Sequence, residues 1–372
     1  MSFDVRRVRA DLPAVHAQAY FNAGTFGPLP RQAAEAMHAH VDFSTDRGRI
    51  GHAGLERWFG LMERARHGFA RTLACPAEEV ALTHCTTDGC NTVVWGLPFA
   101  PGDEVVTTTH EHPGLTAPLD ELARTRGVVV RACEPELEAI AAAVTERTRL
   151  VALSHVLWTT GDVLPVTEIA GAARTKSGGR AFVLVDGAQS VGAIPVQPSS
   201  FAVDAYTVSG QKWLCGPSGT GALWVSPARL AELATPWPWY LSKSRSPAGV
   251  TDWTSARRLD GSTIGMTSLA GLVAALAWHQ EQVDAGALAY ADSLAMRLRF
   301  ALASRPRVQV VPAPSPSQLV SFTVEGVIAS AVSMRLEKAG VLVRPIPGVE
   351  VVRASVGFWN DETDVERLLA AV

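Results

Sequence analysis

Two residues of opposite charge stand where the strands of a sheet would end. Asp186 follows an apolar run over 182–185 and opens Asp186-Gly187-Ala188-Gln189. Lys212 follows a second run over 205–208 and closes Ser209-Gly210-Gln211-Lys212. A third run, Gly221–Val225, comes after a glycine-rich turn. In parallel α/β sheets ligands sit beyond the carboxyl ends of the strands, so both side chains would face one crevice. The chemistry that uses such a pair is that of pyridoxal 5'-phosphate (PLP). A lysine amine forms a Schiff base with the aldehyde, and a carboxylate partners the pyridinium nitrogen. The protonated ring then accepts electrons from a carbanion at the substrate Cα. The lysine acts without its proton, and burial beside a cationic ring lowers its pKa. Either residue alone would read as the end of a buried strand or as a surface cation; the full string gives the pair its meaning.

The strings DGAQSVGAIPV and DAYTVSGQKWLCGPSGTGALWV resemble the core of the class V aminotransferase family of fold-type I PLP enzymes. That family includes cysteine desulfurases, isopenicillin N epimerase-like proteins, kynureninases and C–S lyases. The likeness runs from about Tyr20 onward. It implies that Lys212 carries the cofactor, that Asp186 pairs with the ring nitrogen and that Gln189 bonds the ring hydroxyl. Ser209 would donate to the phosphate. Gln211 stands where the family usually has histidine; it can still donate a hydrogen bond to phosphate but brings no charge.

Other stretches supply the rest of such a site. The strand Val80–Thr83 is followed by Cys85-Thr86-Thr87-Asp88-Gly89 and an apolar helix. Backbone N–H groups and the helix dipole there make an anion site, to which Thr86 and Thr87 add hydroxyls; Thr87 or Asp88 would also cap the helix. In Thr109-His110-Glu111-His112-Pro113 two histidines flank a glutamate, but no third ligand lies nearby, so no metal site is expected. The resemblance places at His112 the ring that stacks on the cofactor and relays protons. Trp158 stands where desulfurases have asparagine; it cannot accept a hydrogen bond but offers a large apolar wall, which implies a changed substrate or reaction. The stretch around His155-Val156-Leu157-Trp158-Thr159-Thr160-Gly161 is closer to the epimerase-like and C–S lyase branch. Asn22 and Gly24, in a turn-rich loop at the mouth of the site, are substrate-contact candidates. Ser262 matches a Gly-Thr element that in this family reaches the partner subunit's cofactor phosphate, which implies an obligate homodimer with a shared active site. Arg353, in Arg353-Ala354-Ser355-Val356-Gly357-Phe358-Trp359-Asn360, would grip the substrate α-carboxylate as a bidentate fork.

The elements that must position these residues alternate strand and helix from about 80 to 225. That pattern predicts a mainly parallel sheet with helices on both faces; the resemblance implies the fold-type I PLP-dependent transferase architecture, an α/β fold with a seven-stranded-type sheet and a smaller α+β C-terminal domain. The domains are expected as 1–30, a segment at the mouth of the site; 31–260, a large PLP-binding domain; and 261–372, linking helices and the small domain. Helices are predicted over 31–43, 55–73, 137–146, 166–175, 268–283, 285–303 and Ala329–Lys338, with strands at 308–311, 318–324 and 341–345.

The 372 residues exceed one ordinary domain, and an apolar fraction of 47% is ample for a core. A net charge of −3 carries no footprint for nucleic acid. Five cysteines, at 75, 85, 90, 133 and 215, form neither a metal set nor a disulfide framework. The N-terminus lacks the apolar core of a signal peptide and no run is long enough to span a bilayer, so a soluble cytoplasmic protein without membrane contact is expected.

An arginine holding the carboxylate near the ring plane leaves Cα–H exposed, and Lys212 is the base for it. A desulfurase also needs a mobile acceptor cysteine in the small domain, yet no cysteine follows Cys215. β-Elimination needs none, because a thiolate leaves on its own. The leading expectation is therefore a C–S β-lyase acting on an amino-acid-like cysteine S-conjugate. Decarboxylation-coupled deamination, epimerisation and transamination are the enzymatic alternatives. A binding or regulatory relic is the non-enzymatic one, and it would have been free to lose Lys212, Asp186 or Arg353.

Overall fold

The computed structural model describes residues 3–247 and 249–372. Seven strands form the large sheet: β1 Val80–Thr83, β2 Glu104–Thr108, β3 Val129–Cys133, β4 Thr148–Ser154, β5 Phe182–Asp186, β6 Ala205–Ser209 and β7 Gly221–Val225. Their order is β1-β7-β6-β5-β4-β2-β3. Strands β2 to β6 run parallel, and β7 lies antiparallel between β6 and β1. The central strands are uninterrupted apolar runs because both their faces are covered.

Side-chain alternation sorts each strand onto two cores. Val151, Leu153, Val183, Val185, Tyr206 and Val208 pack on one face with Leu61, Phe69 and Leu276 from the helices His52–Thr72 and Met266–Asp284. Leu150, Ala152, Phe182, Leu184 and Ala205 pack on the other with Val93, Val94, Leu115 and Leu119 from the helices Thr86–Gly96 and Pro113–Arg126. The same alternation carries Ser154, Asp186 and Ser209, the last residues of β4, β5 and β6, onto this second face. The helix Thr86–Gly96 begins there.

A second, antiparallel sheet has β8 Val308–Val310, β9 Leu319–Val324, β10 Arg344–Ile346 and β11 Val351–Ser355 in the order β8-β9-β11-β10. The N-terminal segment is woven into this layer. The short strand Ala19–Tyr20 pairs with Val341–Leu342, Asn22 bridges to Ser355, and Phe21 is buried among Val320, Phe322, Val352 and Ala354. No helix among the described residues is long and apolar enough to cross a membrane.

The amino ends of the parallel strands, opposite the site, are closed by ion pairs. Glu104 is fully buried and accepts from Arg131 (2.9 Å), Arg147 (2.5 Å) and Thr145 (2.6 Å). Arg131 holds its carboxyl down to about 2, with Thr145 and Arg147 adding to the effect. A carboxyl depressed in this way contributes stability above the ordinary carboxylate pKa and loses it as pH falls through the depressed value. The Glu104→Gln variant is expected to melt below the wild type at pH 7. The difference should shrink as pH falls from about 4.5 towards 2; a gap that stays constant in a pH series of melting curves would refute this account.

Candidate active site

The turn after β6 carries Lys212 into a crevice bounded by both sheets. Lys212 is partly buried, and its amine is pushed down to about 8. Loss of water is the main cause; Asp186 acts in the opposite sense and Arg353 adds to the lowering. Asp186 and Arg353 thus both lie within electrostatic reach of the Lys212 amine. Asp186 is buried, and its carboxylate accepts from the Ala188 N–H at 2.8 Å, which turns the chain back beneath the crevice.

The helix Thr86–Gly96 starts against β6. The Thr86 N–H donates to Ser209 Oγ at 3.3 Å, and the two hydroxyls lie 3.2 Å apart. The sequence pointed to capping by Thr87 or Asp88, and the structure differs. Cys85 is the N-cap and makes no side-chain bond; the Asp88 carboxylate instead accepts from the His84 N–H and meets His84 Nδ1, both at 2.9 Å. Apart from the Thr86 N–H, which meets Ser209, the first turn thus keeps the Thr87 hydroxyl and its remaining end N–H groups for an anion.

His112 caps the helix Pro113–Arg126 by accepting from the Gly114 N–H through Nδ1 at 3.0 Å. Its ring also meets Trp158 edge to face at 4.9 Å. Burial lowers its pKa and the Lys212 charge lowers it further. The ring is neutral at pH 7, with its proton on Nε2. His110 Nδ1 is taken up by Thr159 at 2.8 Å, and the described residues contain no cluster able to hold a metal.

Arg353 lies in β11, buried, with Nη1 donating to the Trp158 carbonyl at 3.0 Å. Its Nε is buried without a partner, as are Trp158 Nε1, Ser355 Oγ and Gln211 Oε1. No carboxylate among the described residues comes within ion-pair reach of Arg353, whose pKa is pushed down to about 9, chiefly by burial and then by Arg344. It is charged at neutral pH, and a buried charge left unpaired is costly.

The N-terminal loop closes the crevice from the other side. Gln189 Nε2 donates to the Gly24 carbonyl at 2.9 Å, and Gln189 Oε1 accepts from Trp213 Nε1 at 3.0 Å. Gly27 N–H donates to the Gln211 carbonyl at 2.8 Å. Asn22 uses its side chain within the loop, accepting from Thr25 Oγ1 at 2.8 Å. A Cβ on Gly24 would lie 2.7 Å from Arg353 Nη2 and 2.9 Å from both Gln189 Oε1 and Ser355 Oγ. Gly24→Ala is therefore expected to displace the guanidinium and lower kcat/KM by about 10-fold or more. Steady-state kinetics with an unchanged rate would show that the loop tolerates the methyl group. Ser262 lies apart from the crevice. It is exposed on the outer side of the same helix start, in a cleft of about 480 Å³ shared with His84, Thr87 and Trp237.

These residues fit PLP. A lysine with a lowered pKa and a buried carboxylate face each other's field, a helix start beside three hydroxyls awaits an anion, and the unpaired buried atoms cluster around the same space. Sequence reasoning missed three contributors. Glu111 was weighed only as a metal ligand, yet it is a buried carboxylate tied to β4. Arg344 and Ser355 became visible only once β10 and β11 were paired.

Three comparisons bear on the chain as a whole. The family model described as aminotransferase class-V matches residues 20–368. A probable cysteine desulfurase of Pseudomonas aeruginosa is 30% identical over 98% of this chain and 96% of its own. Among solved structures, the cystine C–S lyase C-DES in complex with its reaction product cysteine persulfide superposes with a TM-score of 0.92 at 32% identity, covering 96% of this chain and 98% of that one. The cysteine desulfurase CsdA of Escherichia coli superposes with a TM-score of 0.87 at 26% identity, covering 100% and 98%.

Proposed function

Because the chain belongs to the aminotransferase class-V family, we propose that this PLP-dependent enzyme is a C–S β-lyase that cleaves S-substituted cysteines. PLP, when bound, takes up the electron pair left behind when a bond at the substrate Cα breaks. The chain's own residues do the rest. Asp186 would face the ring nitrogen and Gln189 the ring hydroxyl; Thr86, Thr87, Ser209 and Gln211 would hold the phosphate. Arg353 grips the α-carboxylate and orients Cα–H towards Lys212, which removes and holds the proton. The departing sulfur would leave with the C–S electron pair, and His112 Nε2–H would donate the proton that neutralises it. Trp158 and the Gly24 loop keep water out.

The observation that carries the reaction class is the placement of Cys215. It follows Lys212 in the same turn, is fully buried, and has its thiol pushed well up by burial. A Cβ on Gly27 would strike it, so the N-terminal loop sits directly on top. No cysteine follows it in the chain. A thiol so enclosed cannot swing out as a sulfur acceptor, whereas β-elimination needs none.

Arg344 extends the substrate reading. It stands directly opposite Arg353 across β10 and β11, and it too has no carboxylate within ion-pair reach among the described residues. Like charges facing each other across a ladder are unfavourable unless an anion lies between them. A substrate with a carboxylate at each end satisfies both; cystine, on which the similar C-DES acts, is of this class.

Incubation with cystine is expected to release pyruvate and ammonia together with a persulfide. Alanine and a protein-bound persulfide from cysteine, without pyruvate, would overturn the proposal. We propose further that the enzyme works as a homodimer. Ser262 adjoins a groove of about 760 Å³ lined by Phe43, Ile50, Trp58 and Met266, and Ile50 is 77% exposed. A second copy would cover this apolar face, and a monomeric mass by sedimentation would exclude it.

A further inference from the structure

Glu111 is a buried ionisable group that the roles above leave unused. Its carboxylate is 7% exposed and fully engaged. Oε1 accepts from Thr108 Oγ1 at 2.6 Å, and Oε2 accepts from Ser154 N–H at 3.0 Å and Ser154 Oγ at 2.5 Å. Thr108 ends β2 and Ser154 ends β4, so this one side chain ties two adjacent strand ends together. Ser154 is the register partner of Asp186 in β5. The next residue along the chain is His112. The turn bearing the ring that faces Trp158 is thus anchored, through Glu111, to the strand beside Asp186.

We propose that Glu111 is a positioning residue for the reaction, fixing the His112 turn against β4 and placing a second buried negative charge next to Asp186 beneath the cofactor. Three donors to one carboxylate are the pattern of a group held for its charge, since a purely spatial tie would be met by a glutamine. Burial is the main opposing cause and pushes this carboxyl up to about 7; the Asp186 charge pushes the same way, while Ser154 and Thr108 pull it down. The charged group that acts on it from another element is Asp186 on β5, and Glu111 in turn acts on the Cys90 thiol of the helix Thr86–Gly96. On its own turn stand His110, bonded to Thr159, and His112, bonded to Gly114. A negative charge held on Ser154, the register partner of Asp186, would favour the protonated form of a cation resting on Asp186.

The inference rests on the cofactor and not on the bond that is cleaved, so its first readout needs no substrate. The PLP-loaded wild type, Glu111→Gln and Glu111→Asp are titrated by the pH midpoint of the visible cofactor band. Glu111→Gln keeps the size and loses the charge; its midpoint should fall by about half a pH unit or more. Glu111→Asp keeps the charge and cannot span both strand ends; its midpoint should stay near that of the wild type while kcat falls by about 10-fold or more at little change in KM. Equal midpoints for wild type and Glu111→Gln would overturn the proposal. So would a Glu111→Asp variant with wild-type kcat. Melting curves of the three proteins separate these readouts from a loss of folded protein, and the product analysis for cystine remains independent of them.

Discussion

Lys212→Ala is expected to reduce turnover by about 10⁴-fold while leaving the fold intact. Among the described residues, the substitution removes the only lysine amine in the crevice that can both attach PLP covalently and carry the Cα proton. Its Coulombic partners, Asp186 and Arg353, remain in place, so the pocket keeps its shape and PLP is held only by contacts to ring and phosphate. Borohydride treatment followed by mass analysis should add cofactor mass to Lys212 in the wild type and nothing in the variant. The lowered amine pKa supplies a sign as well as a size. Below about 8 the amine keeps its proton and cannot attack an aldehyde. The rate at which apoprotein captures PLP should rise with pH up to about 8 and level off above it. A rate that climbs without a break to pH 10 would mean that burial does not depress this amine.

Arg353→Met is expected to lower kcat/KM by roughly 10²–10³-fold and yet leave the free protein at least as stable as the wild type. The guanidinium is 2% exposed with no carboxylate partner among the described residues, and its neighbour across the ladder is another arginine. Replacing it with an apolar chain of similar length loses one hydrogen bond to the Trp158 carbonyl but relieves an uncompensated buried charge. Function and stability therefore pull in opposite directions at this position. Thermal melting with and without a carboxylate-bearing substrate analogue reads both effects. The analogue should raise the wild-type melting temperature and leave Arg353→Met unmoved. A variant that melts well below the wild type would show that the guanidinium supports the fold instead of awaiting a ligand.

Much of the fold was legible because the central strands are short continuous apolar runs ending in polar residues, a pattern that only a doubly covered parallel sheet demands. Asp186 and Lys212 were visible for the same reason: each stands where a strand runs out. What the sequence hid is pairing at long range. Glu111 looked like half of a histidine–glutamate motif, and only the adjacency of β2 and β4 makes Ser154 its donor. Arg344 sits in a predicted strand, but its meaning depends on facing Arg353 across β10 and β11. Thr87 and Asp88 have good capping chemistry, but the Asp88 carboxylate is committed to His84, a choice that local propensity does not reveal. The stretch 20–28 read as a loop because two-residue strands have no periodicity. Their partners lie more than three hundred positions away.

The weaving of Ala19–Tyr20 beside Val341–Leu342, and of Asn22 beside Ser355, has a bearing on biosynthesis. While the chain is still on the ribosome, its opening segment has nothing to pair with until the last strands emerge. The large sheet can assemble around Lys212 long before then, but the loop that seals the crevice cannot dock. Any polypeptide released before residue 355 would carry the reactive lysine on an open, water-filled surface. Closure of the crevice is thus tied to synthesis of the chain through residue 355.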